Sequence, residues 1–446
     1  MDLQEEKIIT TESPEGELPG TKGLNGRRLE TKTLRRWARK GGLAVLDQGL
    51  FSGANFLVNI LLARWLPPEE YGAFAVALSI FYLLAGFHTA VLTEPMMVFG
   101  AGKYREHFRK YLGMLLWGHW AISALIALIL GVAAFVMARL GSAPMAQALA
   151  GLAIASPFLL LLWLTRRAPY VEMRPGWAVV GSGVNLVVTL GGIFLLWRLG
   201  LLSSLSGLVL LGAAGAVASL AISLRIKPQV AGYTGNPTPK MVVQGHWQYG
   251  RWSAATVLLM WVPGNIYYSL LPATIGLEGS AALRAIHNLI LPVLHALSAV
   301  SILVMSYFSN LVHSRDPRFF RTVLRVLLLF ILCAAGYALL LLVFGVPIME
   351  LLYKGNYTSY APLLYIAAFL PVSVSVVSVV GGALRAMEKP QLVFYSYVAT
   401  FVSALGVGIP LMFVWGVKGA LIGQLVSSLT TAGAMTAYYL KIALRA

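Results

Sequence analysis

Long runs of apolar residues recur from Gly42 to Leu440, broken only by short polar connections. At ~20 apolar residues per crossing, they predict about twelve membrane-spanning helices. These run near 42–65, 71–96, 111–138, 145–165, 176–197, 201–224, 247–271, 279–307, 320–346, 359–384, 391–415 and 417–440. The longest connection, Arg225 to His246, divides them six and six, and no loop is long enough to fold as a catalytic or nucleotide-binding domain. The expected organisation is a disordered cytoplasmic tail at 1–41, a first lobe at 42–225, a linker at 226–246 and a second lobe at 247–446. The first helix carries a polar stripe: Gln48, Ser52, Asn55 and Asn59 are spaced four, three and four residues apart, within an arc of roughly 60°. Lipid tolerates such a stripe poorly, so it should face other helices or a watery cavity.

Composition supports a polytopic membrane protein. Of the 446 residues, 58% are hydrophobic and only 11% charged, whereas a soluble chain carries about 25% charged residues. The net charge of +17 would suggest nucleic acid if it were spread over a surface. Instead all Lys and Arg except Arg64, Arg139, Arg198, Arg284, Lys354 and Lys418 fall on alternate connections and the two termini. By the positive-inside rule that side is cytoplasmic, with both termini inside. The charge is a topology signal, with anionic membrane lipids as a secondary partner and no nucleic acid. Residues 1–29 are polar and lack a signal-peptide core. Cys333 is the only cysteine and lies in an apolar run, which leaves no disulfide framework or thiolate metal site.

The two sets of six helices share weak internal similarity. Gly49-x-x-Ser52-x-Ala54 recurs as Gly250-x-x-Ser253-x-Ala255, and Arg174-Pro175 opens the fifth helix as Lys389-Pro390 opens the eleventh. An even number of crossings per copy gives both copies one orientation, a parallel repeat about an axis along the membrane normal. Two bundles of that kind suit rocking about a central cavity.

Few residues in the spans carry chemistry. Asp47 and Glu94 are the acids clearly inside apolar runs. They are candidates for binding a coupling proton or sodium ion, against a structural ion pair with Arg251 or another base at the same helix ends. On the eighth span, Arg284, Asn288 and His295 share a face with His287 at its edge, and Pro292 can kink that helix. His88 on the second span is a further candidate for the same polar region, although a lone histidine is more often packed. On the seventh span Pro263, Gly264 and Asn265 predict a bend or break lining a cavity. Tyr267 and Tyr268 beside them fit an outer aromatic belt better than sugar stacking. Arg64 is expected at an outer gate or interface. No Walker-type phosphate loop is present, so this chain does not consume ATP. No other cofactor is expected.

LLARWLPPEEYGAFAVALSIFYLL, residues 61–84, resembles the opening hairpin of oligosaccharide flippases in the multidrug/oligosaccharidyl-lipid/polysaccharide (MOP, MATE-like) superfamily, and residues 354–364 resemble their entry to the tenth helix. The resemblance implies a V-shaped pair of six-helix lobes that moves a polyprenyl-pyrophosphate-linked oligosaccharide across a bacterial inner membrane by alternating access, for surface polysaccharide biosynthesis. The substrate-binding set is then Arg284, His287, Asn288, His295, Asn55, Asn59, Gln48 and Asn265. Arg284 would meet the pyrophosphate and the amides the sugar. Arg64, Pro263, Gly264 and Pro292 would serve as gate or hinge. A polysaccharide polymerase or glycosyltransferases of the same pathway are candidate protein partners. The competing reading is a cation-coupled multidrug or metabolite exporter of the same superfamily, which would want a carboxylate deep in the cavity. A membrane glycosyltransferase is disfavoured by short outer loops carrying only Glu69, Glu70, Glu278 and Glu350 as acids.

Overall fold

The computed structural model describes residues 23–444, and every regular element among them is helical. Helix α1 spans Gly23–Trp65. It therefore takes in the latter part of the stretch expected to be disordered, while residues 1–22 of that stretch lie outside the described residues. There follow α2 (Pro68–Ala101), α3 (Phe108–Arg139), α4 (Ala143–Val171), α5 (Gly176–Arg198), α6 (Ser204–Ile226), α7 (Pro239–Ile275), α8 (Leu277–His313), α9 (Phe319–Tyr353) and α10 (Thr358–Ala386). The last apolar stretch, Pro390–Ala443, is 54 residues long. At 1.5 Å per residue it would reach about 80 Å, far beyond a ~30 Å hydrocarbon core. It reverses at Gly416, whose φ of 54° and ψ of −130° only glycine adopts readily. The two arms are α11 (390–415) and α12 (417–443). They pack so closely that a Cβ on Gly419 would stand 1.9 Å from the Leu411 carbonyl oxygen. With that stretch divided in two, the described residues form twelve helices long and apolar enough to cross, in line with the roughly twelve that the apolar pattern predicts.

Within the first six helices, α4 packs against α3 and α6, and α5 against α1 and α6; in the second six, α10 packs against α8, α9 and α12, and α11 against α12. The halves meet through α2 with α7 and α8, and α1 with α8. The largest apolar core spans both halves, taking in Leu62, Tyr71, Phe74, Leu149, Leu208, Ile286, Tyr353, Tyr357 and Leu421. It lies toward the end away from the basic connections. At the basic end the core splits in two. One part, with Met96, Phe108, Tyr111 and Leu162, belongs to the first half; the other, with Phe308, Phe319, Val323 and Leu384, belongs to the second. The molecule is a V, closed at the far end and open toward the basic end. Helix α7 departs from simple lobes, because its basic end stays on the first half: Val242 joins that half's core, and a Cβ on Gly250 would meet the Ala90 carbonyl oxygen at 2.8 Å.

Three local departures from regular helix are invisible in the apolar pattern. Helix α2 contains a π-helical turn at Thr89–Thr93 and α11 another at Ala404–Gly408, while α10 opens with a 3₁₀ turn at Thr358–Leu363. The bends expected at Pro263-Gly264 and Pro292 do not interrupt α7 or α8, which remain helical through all three residues.

Candidate functional site: a basic cavity between the halves

A cavity of about 600 Å³ fills the V. The stripe of α1 forms one wall, with Gln48, Ser52, Asn55 and Asn59 all lining it. Gln48 and Asn55 are exposed and Ser52 is half-buried, whereas Asn59 is buried at 4% exposure. Across the cavity α8 presents Arg284, His287 and His295, and α7 presents Pro263, Gly264 and Asn265.

Arg284 sits at the closed end, 7% exposed. Its Nε donates to Asn59 Oδ1 at 2.9 Å, and its guanidinium lies 6.0 Å from the centre of the Tyr268 ring. Among the described residues no Asp or Glu lines the cavity; Asp47 pairs with Arg166 and Asp316 with Arg318, both away from it. The site thus holds a buried cation whose fixed neighbours are amides and aromatic rings. Beside it the Tyr268 hydroxyl donates to His287 Nδ1. His287 Nε2 donates to Gln424 Oε1 at 2.8 Å, and Gln424 Nε2 donates to the Gly264 carbonyl at 3.1 Å. This chain fixes the imidazole in one neutral tautomer. Trp163, Tyr82 and Tyr268 supply aromatic faces.

Several sequence expectations are redirected. Asn288 is fully buried off the cavity, donating to the Tyr71 hydroxyl at 2.9 Å. Its backbone position turns it toward α2, while the lining face of α8 runs through Arg284, His287, Leu291 and Leu294. Tyr71 belongs to a plug with Tyr353 and Tyr357, all fully buried, in which the Tyr353 hydroxyl donates to the Ala285 carbonyl at 2.9 Å. The plug seals the far end. Arg64 lies at that same end, where Nη1 donates across the halves to the Leu351 carbonyl at 3.3 Å.

Asp47 is 1% exposed and off the cavity. It takes Arg166 Nε at 3.0 and 3.2 Å, the Tyr170 hydroxyl at 2.6 Å and the Ser182 hydroxyl at 2.5 Å. That clasp joins α1, α4 and α5. Its base is Arg166 and not Arg251, which is exposed on α7. Glu94 is exposed near the basic end of α2, and Pro292 is exposed; neither lines the cavity. Tyr267 and Tyr268 are buried and so form no lipid-facing belt. His88 points away to His119. Gln424, Tyr82 and Trp163 line the cavity without having stood out in the sequence; a lone amide in an apolar helix was the available signal for Gln424.

The fold is that of the membrane transporters of the MOP superfamily. The inward-closed lipid II flippase MurJ superimposes with a TM-score of 0.71 at 14% identity, covering 90% of each chain. An inward-facing multidrug resistance MATE family transporter of the superfamily gives 0.67 at 15% identity, over 89% of this chain and 97% of that one. A MOP superfamily transporter from Pyrococcus furiosus Vc1 gives 0.62 at 13% identity, over 90% and 95%. In sequence, 106 residues are 34% identical to the succinoglycan biosynthesis transport protein ExoT of Rhizobium meliloti (strain 1021). That match takes in 24% of this chain and about a fifth of the relative (20%). No protein-family model matches the chain.

Proposed function

We propose that this protein is a flippase for a polyprenyl-pyrophosphate-linked oligosaccharide, working by alternating access in a bacterial inner membrane with the basic end cytoplasmic. One observation carries the reading: Arg284 is a buried guanidinium in the cavity between the halves, with no carboxylate to neutralise it. Buried charges are paired in stable proteins, so the missing counter-charge is the ligand's. A pyrophosphate fits, because guanidinium offers planar paired donors to phosphate oxygens. The amides of Asn55, Asn59 and Gln424 suit sugar hydroxyls, and Trp163 and Tyr82 suit sugar ring faces. The lipid tail has a way out. Helices α1 and α8 meet at Asn59 and Arg284; toward the basic end both expose apolar residues, among them Val45, Leu46, Val300 and Leu303. The sequence match to a succinoglycan transport protein and the structural match to a lipid II flippase support the same class of cargo. A pathway polymerase or glycosyltransferase would receive or supply that cargo at the membrane.

The test is complementation of a deletion strain. Charge-assisted hydrogen bonds contribute about 1.5–3 kcal/mol each, so Arg284→Ala should lower surface polysaccharide about ten- to hundredfold at unchanged protein level. Arg284→Lys, which keeps the charge but not the fork, should recover part of it. Normal polysaccharide with Arg284→Ala sinks the assignment. Altered drug resistance with intact polysaccharide in the deletion strain would point instead to a cation-coupled exporter, a reading that the carboxylate-free cavity disfavours.

A further inference from the structure

Three of the chain's seven histidines surround the π-helical turn of α2, outside the cavity. His88 directly precedes the turn, and its Nε2 lies 2.9 Å from His119 Nδ1 on α3, with the rings edge to face. His246 on α7 donates from Nδ1 to the Val91 carbonyl inside the turn at 2.8 Å, and its Nε2 meets the Tyr111 hydroxyl at 2.6 Å. Turns of this kind are rare and concentrate at functional sites. They also release backbone carbonyls from the helix, and His246 takes up one of them.

The His88–His119 pair is unsatisfied in an informative way. Both rings are buried, at 1% and 0% exposure, and the outer nitrogen of His88, Nδ1, lacks a hydrogen-bond partner. Two neutral imidazoles bring two N–H groups and two lone pairs. The bond between them consumes one of each, which leaves one lone pair open to a proton. The added proton would convert a neutral contact into an imidazolium–imidazole bond of about twice the strength.

The surroundings add no fixed charge. Helix α3 offers the Ser123 hydroxyl at 3.3 Å and α4 the Pro157 carbonyl. The neighbouring α7 surface is Val257, close against Gly86. Titratable groups on these elements lie further along toward the basic end: Tyr111 eight residues from His119, about 12 Å along the helix; His246; Arg166 and Arg167 on α4; and exposed Glu94 and Arg251. Toward the far end α2 carries Tyr82, on the cavity. In this dry state an ammonium-like charge on the pair is costly. The pair sits where α2 is sealed to α7, so parting these helices admits water and makes the charge cheap.

We propose that the His88–His119 pair is a proton-binding site, and that binding one proton there favours parting of the basic ends of α2 and α7. By linkage, the seam that excludes the proton when closed is opened by it. The physiological use of this rests on the transport reading; the proton-driven motion itself does not, and it is measurable without cargo.

Spin labels at Val98→Cys and Trp252→Cys, both exposed, in a Cys333→Ala background report the seam by pulsed dipolar spectroscopy. Lowering the pH from about 8 to about 5, the range in which imidazoles titrate, should raise the long-distance population. A one-proton transition allows at most about a tenfold change per pH unit. His119→Asn and His88→Asn should each abolish the response. A pH-independent distance in the parent, or a response unchanged in both variants, overturns the proposal. The parent alone gives a second readout in nitrogen-15 histidine spectra: one proton should be taken up per pair. Two rings that stay neutral to pH 5 would also end it.

Discussion

At the scale of single residues, the two buried arginines near α1 show opposite solutions to the same cost. Arg166 is met by Asp47, with its Nη2 donating to Gln48 Oε1 at 2.9 Å and its plane 4.0 Å from the Phe51 ring centre. Arg284 is met by an amide and by rings. The first arrangement is complete without a ligand; on the function proposed above, the second is not. Removing one member of a buried pair strands the other and costs about 3–5 kcal/mol. Asp47→Asn should therefore lower thermal stability sharply, and Asp47→Asn combined with Arg166→Gln should recover much of it. A fluorescence-detected melting series on the purified protein checks this. The coupling energy should be absent between Asp47→Asn and Arg284→Ala, whose partners are separate. The polar stripe of α1 was legible because four polar residues at helical spacing in an apolar segment admit one placement. The partners of Asp47 and Asn59 were not legible. They lie 119 and 225 positions away, and a periodicity says which face a residue occupies but not what stands opposite.

Among elements, α2 is the member the two halves share. Near its far end Gly72 lies against the start of α8, where an added Cβ would stand 1.9 Å from the Leu277 carbonyl oxygen and 3.1 Å from its Cβ. Backbone cannot yield as a flexible side chain can, so Gly72→Ala should pry the far ends apart. The expected outcome is increased labelling of a cysteine at Tyr357 from the far side, in a Cys333→Ala background. Unchanged labelling would mean that the contact does not hold the closed state. The seam closes further on Tyr71, Tyr353 and Tyr357. In the sequence Tyr71 and Tyr357 stand only within the segments that carry the resemblance, and nothing marks Tyr353. Their burial is set by the approach of the other half, which no local pattern encodes. The π-helical turns were equally hidden, since they shift register without changing apolar content. Helix number, by contrast, follows directly from span length.

For the whole molecule, the connection between halves is held down along most of its length. Lys110 Nζ donates to the Thr234 and Gly235 carbonyls at 2.6 and 2.7 Å. Trp117 Nε1 donates to the Val230 carbonyl at 3.0 Å. Gly113 leaves room for the strap, since a Cβ there would stand 1.7 Å from the Gln229 carbonyl oxygen. The strap is thus bonded to α3 up to its last few residues before α7. Any relative motion of the halves must be absorbed beyond Gly235 and within α7 itself.

That anchoring has a practical bearing on how the gene can be divided. A cut placed after Thr238 leaves the strap whole on the first fragment, seated on α3. A cut placed after Ile226 gives it to the second fragment as a loose leader, and uncovers the Lys110 side of the first. Two fragments produced together from the later cut should reassemble and restore surface polysaccharide, whereas the earlier cut should yield less assembled protein. Affinity capture through a tag on one fragment, quantified for the other, decides between them. Equal recovery from both cuts would mean that the strap's bonds contribute little to assembly. A reporter domain, for the same reason, belongs at the carboxyl end and not in the middle of the chain.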